Sequence, residues 1–214
     1  MRYKLIVFDI DGTITNHISS WRYIHEKLKL WDGLAHKYQE RFLAGRISYK
    51  KFCELDAAHW KGLPERKIRI IFESLPYSKN AALSIKKFKK MGFKLVAVST
   101  GLQFLADRIK NEFRFDYVLS NHLEIKKGIL TGRAKINLTH GAKGRFLKAI
   151  IKRFKISPNE VISIGDSAGD IPLARSSGYS IAFNSSSRAL SNIVDYNCKT
   201  KDFKEVLRKI ESIS

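Results

Sequence analysis

Long apolar runs are missing from this chain. No stretch of its 214 residues approaches the roughly 20 apolar positions of a membrane-spanning helix, so no membrane partner is expected. The opening, MRYKLIVFDIDG, is apolar for too few residues to serve as a signal peptide, and Asp9 interrupts it. Cysteine is scarce as well. Cys53 and Cys198 lie far apart in no metal-ligand spacing, which offers no Cys-based metal motif and makes a reduced, cytoplasmic setting the expectation. Internal repeats and disordered linkers are also absent. Acids are few: 20 Asp and Glu stand against 40 Lys and Arg, a formal net charge of +20.

Such a surplus attracts polyanions. Yet the basic residues of SIKKFKKMG and KAIIKRFKI alternate with apolar ones at helical spacing, as on solvated helix faces. The chain has no Cys/His finger, no RNP-like aromatic strand and no basic low-complexity tail. Charge alone supports non-specific binding, so no specific nucleic-acid partner is expected.

What is present suits a folded protein. Apolar residues make up 44% of the chain, and the length allows one sizeable core or a core with a small second module. YKLIVFDI reads as a buried strand. From Trp21 to Leu75 only helical patterns follow: WRYIHEKLKL, LAHKYQERFLAG, SYKKFCELDAAHWKG and PERKIRIIFESL. From about Asn80 helices and strands alternate. The strands are FKLVAVST, YVLSN, VISIGD and YSIAF, with a hairpin over HLEIKKGILTGRAKIN. This order predicts an α/β fold, a Rossmann-like parallel sheet with helices on both faces. The helical stretch is then a small cap inserted after the first strand. The expected division is a core of residues 1–15 and 77–214 and a cap of residues 16–76.

In open parallel sheets, ligands gather at the carboxyl ends of strands. Polar chemistry sits at those ends here. The first strand runs into Asp9 and Asp11, and KLVAV runs into Ser99, Thr100 and Gly101. VISI runs into Gly165 and Asp166, with Asp170 four residues on, and Lys143 precedes a helix in HGAKGRFL. Up to four carboxylates would meet in one place, and like charges so close disfavour ionisation. A divalent cation resolves the conflict. Magnesium takes oxygen ligands, usually one or two carboxylates together with a substrate phosphate. The set therefore points to phosphoryl chemistry. Asp9 would attack phosphorus, and Asp11 would give and take the proton. Gly12 and Thr13 would let the backbone turn sharply beside the site. Ser99 and Lys143 would hold phosphate oxygens.

DIDGT, VST, the Lys143 segment and GDSAGD resemble, in that order, the four motifs of the haloacid dehalogenase superfamily of phosphatases. The similarity spans essentially the whole chain. AKGRFLKAIIKRF and NEVISIGDSAGDIPLARSSGYSIAFN are similar to its phosphoserine-phosphatase-like branch, archaeal members included, and the helical insertion resembles the superfamily's first cap type. The resemblance implies Asp9 as nucleophile and Asp11 as acid and base. It implies magnesium on Asp9, Asp166 and the Asp11 carbonyl. It puts phosphate on Ser99, Thr100 and Lys143, with Asp170 in support.

The chain departs from that branch where an amino-acid substrate would be recognised. An acid is usual shortly after the first motif, and Ile18 stands there. A cap arginine is usual, and alignment backward from WKGLP puts Glu54 in its place. The second motif has Thr100 in place of glycine, and the fourth has Gly169 in place of asparagine. Asn16, His17, Trp21, Asp56, His59 and Trp60 are candidates to face the substrate, the two tryptophans being expected to pack the cap core. Lys50, Lys51 and Lys61 are further basic candidates. The expected activity is magnesium-dependent hydrolysis of a small phosphorylated metabolite. The alternatives are phosphoserine hydrolysis, phosphotransfer to an alcohol, or a basic nucleic-acid-binding or regulatory protein on a phosphatase scaffold.

Overall fold

Leu5–Phe8 form the first strand, β1, and all four side chains are buried. The pleat sends alternate residues to two different cores. Ile6 and Phe8 join Ile85, Phe88, Ile109, Val206 and Ile210. Leu5 and Val7 join Leu147, Ile150 and Leu173. A central strand covered on both faces needs an unbroken apolar run, which is what LIVF supplies.

The computed structural model describes residues 2–30 and 33–214, the side chain of His140 aside. After β1 come four helices: α1 (Ser20–Lys27), α2 (Gly33–Leu43), α3 (Tyr49–Ala58) and α4 (Glu65–Glu73). Next are α5 (Ala81–Lys90), β2 (Lys94–Leu102), α6 (Gln103–Phe113), β3 (Tyr117–Lys126) and β4 (Ile129–Lys135). The chain continues through α7 (Lys143–Phe154), β5 (Val161–Gly165), α8 (Ile171–Ala174), β6 (Tyr179–Phe183), α9 (Arg188–Ser191), β7 (Tyr196–Cys198) and α10 (Lys204–Ile213). The seven strands form one sheet in the order β4-β3-β2-β1-β5-β6-β7. Only the β3–β4 pair is antiparallel. Helices α5, α6 and α10 pack on one face, and α7 and α8 on the other. The α/β class and the helices on both faces are as the sequence predicts.

Three details differ. YVLSN and the first arm of the expected hairpin are one continuous strand, β3, because Asn121 carries the parallel register straight into the antiparallel one. β7 and α9, of three and four residues, are too short to leave a periodic signal.

From β1 the chain first builds outward through β2 and β3, then returns to build the other side through β5, β6 and β7. The switch point therefore lies at the carboxyl ends of β1, β2 and β5, where a crevice opens. The helical stretch α1–α4 leaves and rejoins the sheet through a narrow neck. Thr15 and Tyr77 form an antiparallel bridge. Beside it, Asn16 N–H donates to the Pro76 carbonyl (3.3 Å) and Ser78 N–H to the Ile14 carbonyl (2.9 Å).

Asn121 holds the crevice's far wall. It is fully buried. Its amide nitrogen donates to the carbonyls of Thr100 (2.9 Å) and Leu138 (3.0 Å). Its oxygen accepts from the backbone N–H groups of Asn137 (2.8 Å) and Leu138 (2.9 Å). A buried polar group stripped of its partner costs about 1–3 kcal/mol. Asn121→Ala should therefore lower the unfolding free energy by about 2–4 kcal/mol, since it strands more than one such group. Urea denaturation checks this, and an unmoved midpoint would mean that the network is not a structural tie.

Candidate active site

Asp9 follows β1 directly and keeps an extended backbone (φ −74°, ψ 164°). Its N–H bonds the Ile164 carbonyl of β5 at 2.9 Å, so its buried carboxylate stands on the carboxyl edge of the sheet. The chain then turns through residues 10–14. Gly12 takes φ +81°, and a Cβ there would lie 2.4 Å from Asp166 Oδ2. Only glycine meets both demands, of backbone angle and of space. Thr13 Oγ1 donates to Asp166 Oδ1 at 3.0 Å, so the turn after β1 is fastened to the end of β5.

Asp11 points elsewhere. Ser20 Oγ, in the first turn of α1, donates to Asp11 Oδ2 at 2.9 Å. The same hydroxyl accepts from Leu102 N–H at 3.1 Å. Asp11 Oδ1 is buried with no hydrogen-bond partner among the described residues. Gly101 gives this corner its room, since a Cβ on it would sit 2.2 Å from Asp11 Oδ2.

At the end of β2, Ser99 Oγ accepts from Gly101 N–H at 2.9 Å. Its hydroxyl hydrogen is thereby left to donate to an incoming oxygen. Thr100 contributes its carbonyl, which accepts from Trp21 Nε1 (3.1 Å), Tyr49 OH (2.7 Å) and Asn121 Nδ2 (2.9 Å). The insertion is thus pinned to the sheet edge by two aromatic side chains.

Lys143, the first residue of α7, is buried. Its ammonium lies 2.6 Å from Asp9 Oδ1 and 2.6 Å from Asp170 Oδ1. Asp170 Oδ2 accepts from the N–H groups of Asp166 (3.1 Å) and Ser167 (3.0 Å) and from Ser167 Oγ (3.2 Å). Both oxygens of Asp170 are therefore occupied by protein donors.

One ammonium pairs with two carboxylates, and a third stands beside them. Oxygens of Asp9, Asp166 and Asp170 lie within 4.8 Å of one another. Burial pushes Asp9 well above the usual carboxylate range. Lys143 opposes that shift, and the charges of Asp170 and Asp166 reinforce it. Asp166 is pushed up to about 7 by burial and then by Asp170, against the Thr13 hydrogen bond and Lys143. Burial also raises Asp11, with Ser20 pulling the other way. Burial disfavours the charged form of Lys143, but Asp170 and Asp9 outweigh it and hold its pKa above the ordinary lysine value. The site has surplus negative charge on hard oxygen donors, which fits a divalent cation.

A family model described as haloacid dehalogenase-like hydrolase matches residues 6–175. The chain belongs to this hydrolase family. Among related haloacid dehalogenase-like proteins, a phosphoserine phosphatase of Archaeoglobus fulgidus is 32% identical over 196 residues, which cover 90% of this chain and 55% of that protein. This chain thus spans about half the length of that relative. A phosphoserine phosphatase of Methanocaldococcus jannaschii is 28% identical over 214 residues, covering 97% of this chain and 98% of that one. A solved phospho-aspartyl intermediate analogue of phosphoserine phosphatase superposes with a TM-score of 0.84 at 27% identity, covering 98% of this chain and 99% of that one.

The structure brings Asp9, Asp11, Ser99, Thr100, Lys143 and Asp166 to the wall of one cleft. Asp170 lies behind Lys143 and Asp166. The other candidates divide. Ile18 and Trp21 line the cleft. Trp21 also stacks on the fully buried Trp60, ring centroids 5.7 Å apart, so the expected packing role holds for both. Asp56 is buried against His25 at 3.3 Å, and His59 packs against His25 and Tyr38. His17 is engaged with Glu26 at 2.9 Å, and Asn16 lines a neighbouring cleft with Lys79 and Lys201. Glu54 corrects an expectation: it does not line the cleft but points outward toward Lys50 at 3.9 Å. The cause is helix phase. α3 turns Phe52, Cys53 and Asp56 inward, and position 54 lies about 200° around the helix from 52. Sequence reasoning missed Ser20 and Tyr49, which act on the site through one oxygen atom each.

Removing the ammonium should expose the charge conflict. Deleting one partner of a buried ionic set typically costs about 3–5 kcal/mol. Lys143→Met should lose stability of that order in chelator-containing buffer at neutral pH, as read by urea unfolding. Wild-type stability in this variant would show that Lys143 does not compensate Asp9 and Asp170.

Proposed function

We propose that this protein is a magnesium-dependent phosphomonoester hydrolase that acts on a small phosphorylated metabolite through an aspartyl-phosphate on Asp9. The observation that carries the reading is the placement of Asp9. Its buried carboxylate sits at the switch point, 2.6 Å from the Lys143 ammonium, in a cleft that also holds Asp11, Ser99 and Asp166. The family membership and the relatives named phosphoserine phosphatase support it.

In this mechanism Ser99 and Lys143 receive the phosphate oxygens, with Thr100 alongside. Asp9 attacks phosphorus, and the bond to the ester oxygen breaks as Asp11 protonates the departing alkoxide. The acyl phosphate on Asp9 is then attacked at phosphorus by water, whose proton passes to Asp11. Phosphate leaves and Asp9 is free again. Ser20 aims Asp11 through the hydrogen bond to Oδ2. Asp170 holds Lys143 in place and keeps the Asp166 loop closed. Magnesium would be held by Asp9, Asp166 and the main-chain carbonyl of Asp11, and when bound it supplies positive charge to the carboxylates and the phosphate. Residues 16–76 act as the cap over a catalytic core of residues 1–15 and 77–214. The paired neck at Thr15 and Tyr77 supports those limits. A cytoplasmic setting suits the two buried free cysteines, and among the described residues no helix is long and apolar enough to cross a membrane.

The test is chemical trapping. With magnesium and a phosphomonoester panel, the protein should release inorganic phosphate and, on rapid acid quench, retain a hydroxylamine-sensitive phosphoryl group. Asp9→Asn should abolish both while its circular dichroism stays native. Asp11→Asn should slow turnover by about 10²–10⁴-fold. Chelation should stop turnover, and added magnesium should restore it. Persistent hydrolysis by a pure Asp9→Asn preparation would refute the nucleophile.

A further inference from the structure

The cleft above the acids has a wall unlike its floor. The floor is charged: Asp9, Asp11, Lys143 and Asp166. Among the described residues, the wall contributed by the insertion is Ile18, Trp21, Phe42, Leu43, Tyr49 and Phe52, together with the polar Gln39 and Ser19. Among the described residues, none of the insertion's basic or acidic side chains lines the cleft.

The aromatic wall is also stripped of its polar handles. Trp21 Nε1 and Tyr49 OH both donate to the Thr100 carbonyl. Phe42 and Phe52 stack at 5.3 Å with 12° between their planes, and Phe42 meets Tyr49 at 5.5 Å. At the mouth stand Leu43 and Ile18, which are 73% and 68% exposed. These are the two most exposed large apolar side chains among the described residues. A lone exposed apolar residue is ordinary, but two that flank one cleft and continue its inner surface form a patch that a ligand covers. The cleft is small, about 170 Å³, against roughly 300–1,000 Å³ for sites that take drug-sized ligands.

We propose that the cleft selects phosphomonoesters of a compact apolar alcohol, one carrying a single aromatic ring or a branched alkyl group, and discriminates against zwitterionic esters such as phosphoserine. This rests on the phosphatase reading above. The phosphoryl group meets the charged floor, and the organic part meets the apolar wall. An ammonium or carboxylate on that part would lose water against side chains that offer no ion pair in return. An apolar part gains from the same burial.

Leaving groups must be matched for the test, because a phenol departs more readily than an alkanol. Benzyl phosphate, glycerol 1-phosphate and phosphoserine all release primary alcohols. With magnesium present, kcat/KM for benzyl phosphate should exceed that for phosphoserine by tenfold or more, with the difference mainly in KM. The variant Leu43→Gln/Ile18→Gln alters only exposed positions. It should raise the benzyl phosphate KM about fivefold and shrink the preference. Phosphoserine equal to or ahead of benzyl phosphate would overturn the inference and leave the phosphatase reading intact. A preference unchanged in the double variant would overturn the assignment to this wall. No phosphate release from any ester would overturn the phosphatase reading, and this inference with it.

Discussion

The Lys143 ammonium, wedged between Asp9 and Asp170, is the interaction on which the site depends. A carboxylate cannot be buried at a sheet edge for its own sake, since desolvation pushes it to take up a proton. Lys143 offsets part of that cost at 2.6 Å on either side. It cannot offset all of it, because Asp166 adds a third carboxylate to the same cluster. The remaining charge is what makes the place fit for a cation and a phosphate together. Asp170 matters because it spends both its oxygens on protein donors. It sets the position of the ammonium and the shape of the Asp166 loop without competing for the ligand.

A second constraint sits at the other wall. The Thr100 carbonyl gathers three donors, from α1, α3 and β3. One backbone oxygen thereby fixes the height of the helical insertion above β2 and the position of the strand beside it. The hydroxyl of Ser20 works similarly, joining Asp11 to the backbone of Leu102. Asp11 and the cleft wall are therefore mechanically linked. The helix that carries Ser20 to the acid also carries Trp21 to the cleft wall, one residue later.

Much of this was legible in the chain because the chemistry contradicts its surroundings. LIVF followed by two acids makes no sense as packing, and the same holds for VISI followed by Gly-Asp. Those misfits located the strand ends, and the alternation of helices and strands supplied the sheet between them. Lys143 was not legible from charge, in a chain with 40 basic residues. Its place at a helix start, in order with the strand-end acids, singled it out, and the motif resemblance supported it. Ser20, Tyr49 and Asn121 were silent for a different reason. Each acts through hydrogen bonds to atoms that the fold brings close, across 82 residues for Ser20–Leu102, 51 for Tyr49–Thr100 and 21 for Asn121–Thr100. No local pattern encodes such contacts. Glu54 went astray because an ungapped alignment says which residue is opposite a motif position but not which face of α3 it occupies.

The surplus of positive charge and the apolar cleft wall look at first like opposing designs. They act at different ranges. A net charge of +20 creates a field that draws phosphate-bearing molecules toward the surface from beyond contact distance, and the attraction weakens as salt shortens the screening length to about 10 Å. That field cannot tell one phosphate ester from another, since every one carries the same anionic group. Discrimination has to come from the part of the molecule that is not phosphate, at distances where water has been expelled. There the insertion places Trp21, Phe42, Leu43, Tyr49 and Phe52 and, among the described residues, no charged side chain of its own. In the proposed reading, long-range attraction without selectivity would be followed by short-range selection by apolar contact, and the two carboxylates that open the chain would lie where those stages meet.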